Sequence, residues 1–219
     1  MATSSPLAYA TLFNNPTFSD IKIRQICGDR VKEYFGHKAV LCCHSKWFMR
    51  ALTGRFKEAS ESVIEMKDDD PDHFEIMLKF LYTNEYELSV EEMDAPQLVE
   101  NFIHPVGVHL LADKYEIDGL CIAAANAFGC PDSWEHSDCC FKIDTDGLNQ
   151  VVGVHYGACA LVGSDMGGRI VNYMFRHCKT TDMAMQIGHL VHSFPAFGAD
   201  IVIAELRLRC LGQCAKKHK

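Results

Sequence analysis

Residues 18–86 constrain the fold of this chain most, because the hydrophobic spacing there changes period repeatedly and each change is marked by turn or capping residues. Ile21 and Ile23 alternate with Lys22, Arg24 and Gln25, the two-residue period of a half-buried strand that continues toward Cys27. Gly28-Asp29-Arg30 supplies a hairpin turn into a second strand over residues 31–36. From Lys38 the period becomes helical. Val40, Leu41, Trp47, Phe48, Ala51 and Leu52 fit two short helices broken around His44-Ser45, with Ser45 placed to cap the second. Residues 62–66 read as a strand again. Asp68-Asp69-Asp70-Pro71 then opens a helix as a solvated acidic start, with proline in the first turn, carboxylates where the helix dipole favours them, and Phe74, Met77, Leu78 and Leu81 on its apolar face. Short strands interleaved with helical pairs predict an α/β or α+β fold with an exposed strand edge near the N-terminus.

The same stretch carries an ordered series of unlike motifs: Phe18-Ser19-Asp20-Ile21, His37-Lys38-Ala39-Val40-Leu41, Ser45, Phe48, Phe56-Lys57-Glu58, Asp70-Pro71, Phe74 and Leu81-Tyr82-Thr83. In that order and at those spacings the chain resembles the BTB/POZ family over residues 18–128, and specifically its stand-alone, fungal-type members with a helical C-terminal extension. The resemblance implies a helical cluster flanked by a short sheet, and an interaction module with no catalytic residues and no cofactor. It also implies self-association as a homodimer, through the N-terminal region and first strand. Leu7, Leu12 and Phe13, together with an acid and a base matching Asp20 and Lys38, are the residues placed at that seam. Relatives that act as substrate adaptors of cullin-RING ubiquitin ligases use the loop after the central helical hairpin and a hydrophobic-X-acid feature further on. Here these are Phe56 and Glu58, then Val90 and Glu92, with Tyr115 beside them. The protein substrate of such an adaptor is not encoded in these motifs. His37 matches a structural histidine of the family, buried and hydrogen-bonded.

Composition narrows the partner classes. With 21 Lys and Arg against 29 Asp and Glu, the formal charge of −8 repels a nucleic-acid backbone, and the one basic cluster is the tail Lys216-Lys217-His218-Lys219. No apolar run approaches the ~18 residues of a membrane span, and the N-terminal residues lack the pattern of a secretory signal, so the expected location is intracellular, in cytoplasm or nucleus. Eleven cysteines at irregular spacing then read as reduced thiols rather than a disulfide framework. Cys130, His136, Cys139 and Cys140 have the ligand count of a structural zinc site but no CxxC pair, and Cys210, Cys214 and His218 lack a fourth ligand.

Residues 1–17 read as a tail or short helix. Pro105 starts a helix with Val106, Leu110 and Leu111 that runs to Tyr115, and a further helix from Asp118 is closed by Gly129. Residues 129–145 read as a linker loop, and residues 146–219 as a small helical extension. In that extension Asp165 is placed to cap one helix, bearing Ile170, Met174 and Phe175, and Asp200 another, bearing Ile201, Ala204 and Leu208. One pattern argues for an enzyme: the apolar run at residues 158–162, read as a strand, followed by Gly163-Ser164-Asp165-Met166-Gly167-Gly168-Arg169 and a helix. It matches neither GxGxxG nor GxxxxGK[ST], and the expectation is a non-enzyme.

Overall fold

A computed structural model describes residues 9–86, 99–129, 143–159, 161–177 and 180–216. The chain divides into two compact units, residues 1–93 with 111–121 and residues 94–110 with 122–219.

The first unit is built on a three-stranded sheet in the order β2-β1-β3, with β1 (Ile21–Cys27) antiparallel to β2 (Arg30–Gly36) and parallel to β3 (Val63–Lys67). Strict alternation sends Ile21, Ile23 and Gln25 inward with Tyr34, Ile64 and Met66, and leaves Lys22 and Arg24 outside, paired with Glu33 and Glu65. Gln25 is therefore on the core face rather than beside Lys22 and Arg24, and its side-chain amide donates to the Asp69 carbonyl at 2.7 Å. The unit adds α1 (Lys38–His44), α2 (Lys46–Thr53), the single turn α3 (Lys57–Ser60) and α4 (Pro71–Thr83); α4 packs on β1 and on α1, and α2 on α1 and α3. Ser45 caps α2 by accepting from the Phe48 amide, and Asp70 caps α4 by accepting from the Asp72 and His73 amides. The acidic run is not one solvated helix start, because Asp69 is 5% exposed and accepts from the Tyr115 hydroxyl at 2.5 Å and the Lys114 ammonium at 2.6 Å.

Two helices, α5 (His104–Lys114) and α6 (Asp118–Ala127), contribute residues to both units. The second unit adds α7 (Thr145–Ala158), α8 (Asp165–His177), α9 (Thr181–Ser193) and α10 (Pro195–Lys216). Its core joins Phe102, Val106, Ala125 and Phe128 to Leu148, Val151, Val152, Ile170, Val171, Met174 and Phe197. Three expectations fail here. Of the run before Gly163, Ala158 is the last residue of helix α7, and Cys159, Leu161 and Val162 lie in no strand, so the described residues form no strand-turn-helix. The cap of α8 is Ser164, which accepts from the Gly167 amide at 3.0 Å, while Asp165 is already helical. Asp200 lies inside α10, buried, where it accepts from the Tyr156 hydroxyl at 2.8 Å and the Gly163 amide at 2.6 Å. An internal carboxylate thus occupies the amide that a bound phosphate would need.

Candidate docking surface

The end of α2 and the chain that follows it build the most distinctive surface of the first unit. Trp47 and Phe48 are adjacent on a helix and so point in different directions: Phe48 is fully buried, and Trp47 is left partly exposed on the rim. Beneath Trp47 lies the Tyr115 ring at 5.1 Å between centroids, edge to face, and Phe48 stacks on the same Tyr115. Gly54 ends α2 where any side chain would meet the Arg50 carbonyl, since a Cβ there would lie only 2.6 Å from that oxygen. The chain therefore folds back tightly enough to bring Phe56 alongside Trp47. Trp47, Arg50, Ala51, Phe56 and Glu58 together line a niche of about 210 Å³. Phe56 is 63% exposed there, a large apolar ring left in water.

The electrostatics of the rim are set by Arg50. Its guanidinium forms a two-pronged pair with the Glu116 carboxylate, and that hydrogen bond holds the Glu116 carboxyl below the usual carboxylate range. Lys46 pairs with Asp118 at 2.7 Å close by. Among the described residues, no ion pair or hydrogen bond engages the Glu58 carboxylate.

The remaining sequence-predicted residues divide. Tyr115 is 1% exposed, with burial and then Asp69 pushing its hydroxyl pKa far up, so it supports Trp47 from beneath and is not itself a docking contact. Leu12 and Phe13 are half-buried. Phe13 packs edge-on against Tyr82 at 5.8 Å, with Lys79 over its ring. Asp20 and Lys38 do meet, but through the backbone: the Asp20 carboxylate accepts from the Lys38 amide at 2.8 Å, while the Lys38 ammonium donates to the Ala59 carbonyl. His37 is buried, and its Nε2 lies 2.8 Å from the Thr17 carbonyl while its Nδ1 lies 3.0 Å from the Tyr82 hydroxyl; hydrogen on Nε2 satisfies both contacts. Leu7, Val90 and Glu92 lie outside the described residues, as do Cys130, His136, Cys139, Cys140 and His218. Among the described residues, no three His, Cys, Asp or Glu side chains gather as metal ligands, and Cys27, Cys42, Cys43, Cys159 and Cys210 form no disulfide.

A small sheet ordered β2-β1-β3, a capped helical hairpin and an acid-capped Pro-led helix are the arrangement the motif series implied. The family profile of the BTB/POZ domain matches residues 9–128. The chain belongs to the BTB/POZ family. Among BTB/POZ proteins it is similar to BTB/POZ domain-containing protein 19 of Bos taurus, 31% identical over 81 residues, which are 37% of this chain and 27% of that protein. A BTB/POZ domain-containing protein of Arabidopsis thaliana is 25% identical over 178 residues, 78% of this chain and 19% of its own length. The armadillo BTB Arabidopsis protein 1 is 29% identical over 107 residues, 49% of this chain and 12% of its own. The chain thus spans about a quarter or less of the lengths of these relatives. The BTB/POZ fold is a protein-interaction fold, and the surface that sequence reasoning missed within it is the rim position of Trp47. Two consecutive aromatics on one amphipathic helix were the available signal, since they cannot share one buried face.

Proposed function

We propose that this BTB/POZ chain is a non-enzymatic, intracellular interaction module that docks a partner on the Trp47, Phe56 and Glu58 surface, and that the partner is a cullin, making the chain a substrate adaptor of a ubiquitin ligase. The observation that carries the reading is the exposed Phe56 ring, held beside Trp47 by the tight turn at Gly54. An apolar anchor at the centre of an interface typically contributes 2 kcal/mol or more, whereas rim contacts contribute little. Calorimetry of the chain with a cullin N-terminal region tests it: the parent protein binds, and Phe56→Ala weakens binding roughly thirtyfold. The same measurement on a Val90→Ala, Glu92→Ala variant tests the second feature. No heat from the parent at high micromolar concentration rejects the adaptor reading and leaves a transcriptional or structural scaffold.

Self-association is the second reading, and Phe18 favours it. Its ring is 84% exposed just before β1, on a backbone with φ +63°, a conformation that is costly for a bulky L-residue. A second copy covering this ring, with Leu12, Phe13, Asp20 and Lys38 behind it, makes a homodimer. Light scattering at tens of micromolar is expected to give a dimer mass, and Phe18→Ser a monomer. A monomeric parent protein rejects this reading.

A further inference from the structure

The niche beside Phe56 has a chemistry narrower than an apolar anchor. Two aromatic side chains, Trp47 and Phe56, line it together with the Glu58 carboxylate, in a volume of about 210 Å³. The one cation on its wall, Arg50, has its guanidinium committed to both oxygens of Glu116. Glu58 is half-buried, and among the described residues no cation pairs with it. Nearby Lys57 is turned to Glu61 at 3.0 Å, and Lys46 to Asp118. Arg50, Lys46 and Lys57 are thus ion-paired to other carboxylates, Arg55 does not line the niche, and among the described residues no ion pair or hydrogen bond answers Glu58. Aromatic faces carry a negative quadrupole, so two rings and an unpaired carboxylate attract the same kind of group, a cation on a hydrocarbon stem. An acidic partner side chain would meet the like charge of Glu58, and a purely aliphatic one would leave the carboxylate to be desolvated without a partner.

We propose that this niche receives the cationic end of a lysine or arginine side chain presented by the partner protein, its stem lying between Trp47 and Phe56 and its charge against Glu58. The inference rests on the reading of this surface as the partner-docking site and specifies which residue type the partner brings to it. Tyr115 is a positioning residue: its buried ring supports Trp47 from below.

The probes are Nα-acetyl-lysine methylamide and Nα-acetyl-arginine methylamide, with Nα-acetyl-norleucine methylamide as the uncharged control, added to the full chain while the indole N–H signals of its two tryptophans are followed by NMR. A Trp134→Phe variant assigns the Trp47 signal. The expected result is a saturable shift of Trp47 with one or both cations and none with norleucine. The affinity should be at least about fivefold weaker in Glu58→Gln, a near-isosteric change, and in Phe56→Leu, a change on an exposed ring, both of which leave the fold intact. The comparison of lysine with arginine tells which stem fits. No saturable cation shift up to about 100 mM, far beyond the ~1 mM at which a ligand of this size ordinarily half-saturates a site, overturns the proposal. An equal response to norleucine overturns it as well. Heat with the cullin region but no cation shift rejects this inference and keeps the docking surface, whereas a cation shift without cullin heat keeps the inference and rejects the cullin as partner.

Discussion

Asp68, Asp69 and Asp70 are chemically identical neighbours that end in three physical situations. Asp68 takes a left-handed backbone at φ +66°, Asp70 caps α4, and Asp69 is buried between the Tyr115 hydroxyl and the Lys114 ammonium. Removing a buried, doubly engaged carboxylate leaves both partners unanswered, so Asp69→Ala is expected to lower unfolding stability by about 3 kcal/mol. Tyr115→Phe leaves the Lys114 contact in place and costs only about 1 kcal/mol. Urea titrations of both variants check the ranking, and equal losses would refute the network. In the second unit, burial and then His109 hold the His155 imidazole down at about 4, well below its ordinary value near 6.5. The unfolded chain therefore binds the extra proton between those two pH values. Stability is full above about pH 6.5 and falls by about 3 kcal/mol as pH drops toward 4. Glu75 adds to the loss at lower pH: burial raises its carboxyl pKa, but Lys32 and Lys79 outweigh that and hold it low, so its contribution disappears only as pH falls through the carboxylate range. A His155→Gln variant should flatten the segment between pH 6.5 and 4 alone; an unchanged slope there would assign the effect to another group.

At the scale of elements, what was legible was what is encoded locally. β1, β2, β3, the Ser45 cap and the Pro71 helix start follow from spacing and from residues within a few positions of one another. The Tyr115 to Asp69 contact joins residues 46 apart and leaves no mark in either neighbourhood. The same limit hid Gln25 on the core face and turned Asp200 from a buried anchor into an apparent cap. Within the candidate site, Phe56 and Glu58 were named through the family motif, whereas Trp47 was read only as one apolar position of a helical pair. Helices α7 and α9 were missed because glycines interrupt them, at Gly147, Gly153 and Gly157 in the first and Gly188 in the second, which weakens local propensity that tertiary packing then overrides. Two adjacent glycines of α8 show how opposite such positions are. A Cβ on Gly167 would sit 2.3 Å from the Asp200 carboxylate and 2.9 Å from the Tyr156 hydroxyl, whereas one on Gly168 meets nothing within 4 Å. Gly167→Ala should therefore destabilise by about 1–3 kcal/mol through overpacking. Gly168→Ala should stabilise by up to about 1 kcal/mol through helix propensity. Thermal melts of the pair check the signs, and a stabilised Gly167→Ala would mean that the Asp200 cluster yields easily.

For the whole molecule, the BTB/POZ match ends at residue 128, yet the residues of that segment do not complete a core by themselves. Phe102, Val106, Ala125 and Phe128 all lie inside the match, and they bury in one cluster with Leu148, Val152, Ile170, Val171 and Met174 from beyond it. Phe128 packs edge-on against Tyr173, and the Gly129 amide donates to the Asn101 carbonyl at 2.7 Å at the point where the match ends. Full burial of a large apolar side chain is worth roughly 1.5–3 kcal/mol, so uncovering two phenylalanines and a valine removes several kcal/mol. A domain has only about 5–15 kcal/mol of net stability, so that loss is decisive and not marginal. A chain ending at Gly129 is therefore expected to melt well below the full chain and to aggregate through the uncovered rings. Replacing Phe102 and Phe128 by serine in that shortened chain should recover solubility without recovering the melting temperature, because it removes the sticky surface but restores no burial. A shortened chain as soluble and as stable as the parent would mean that α7 to α10 cover this face without stabilising it.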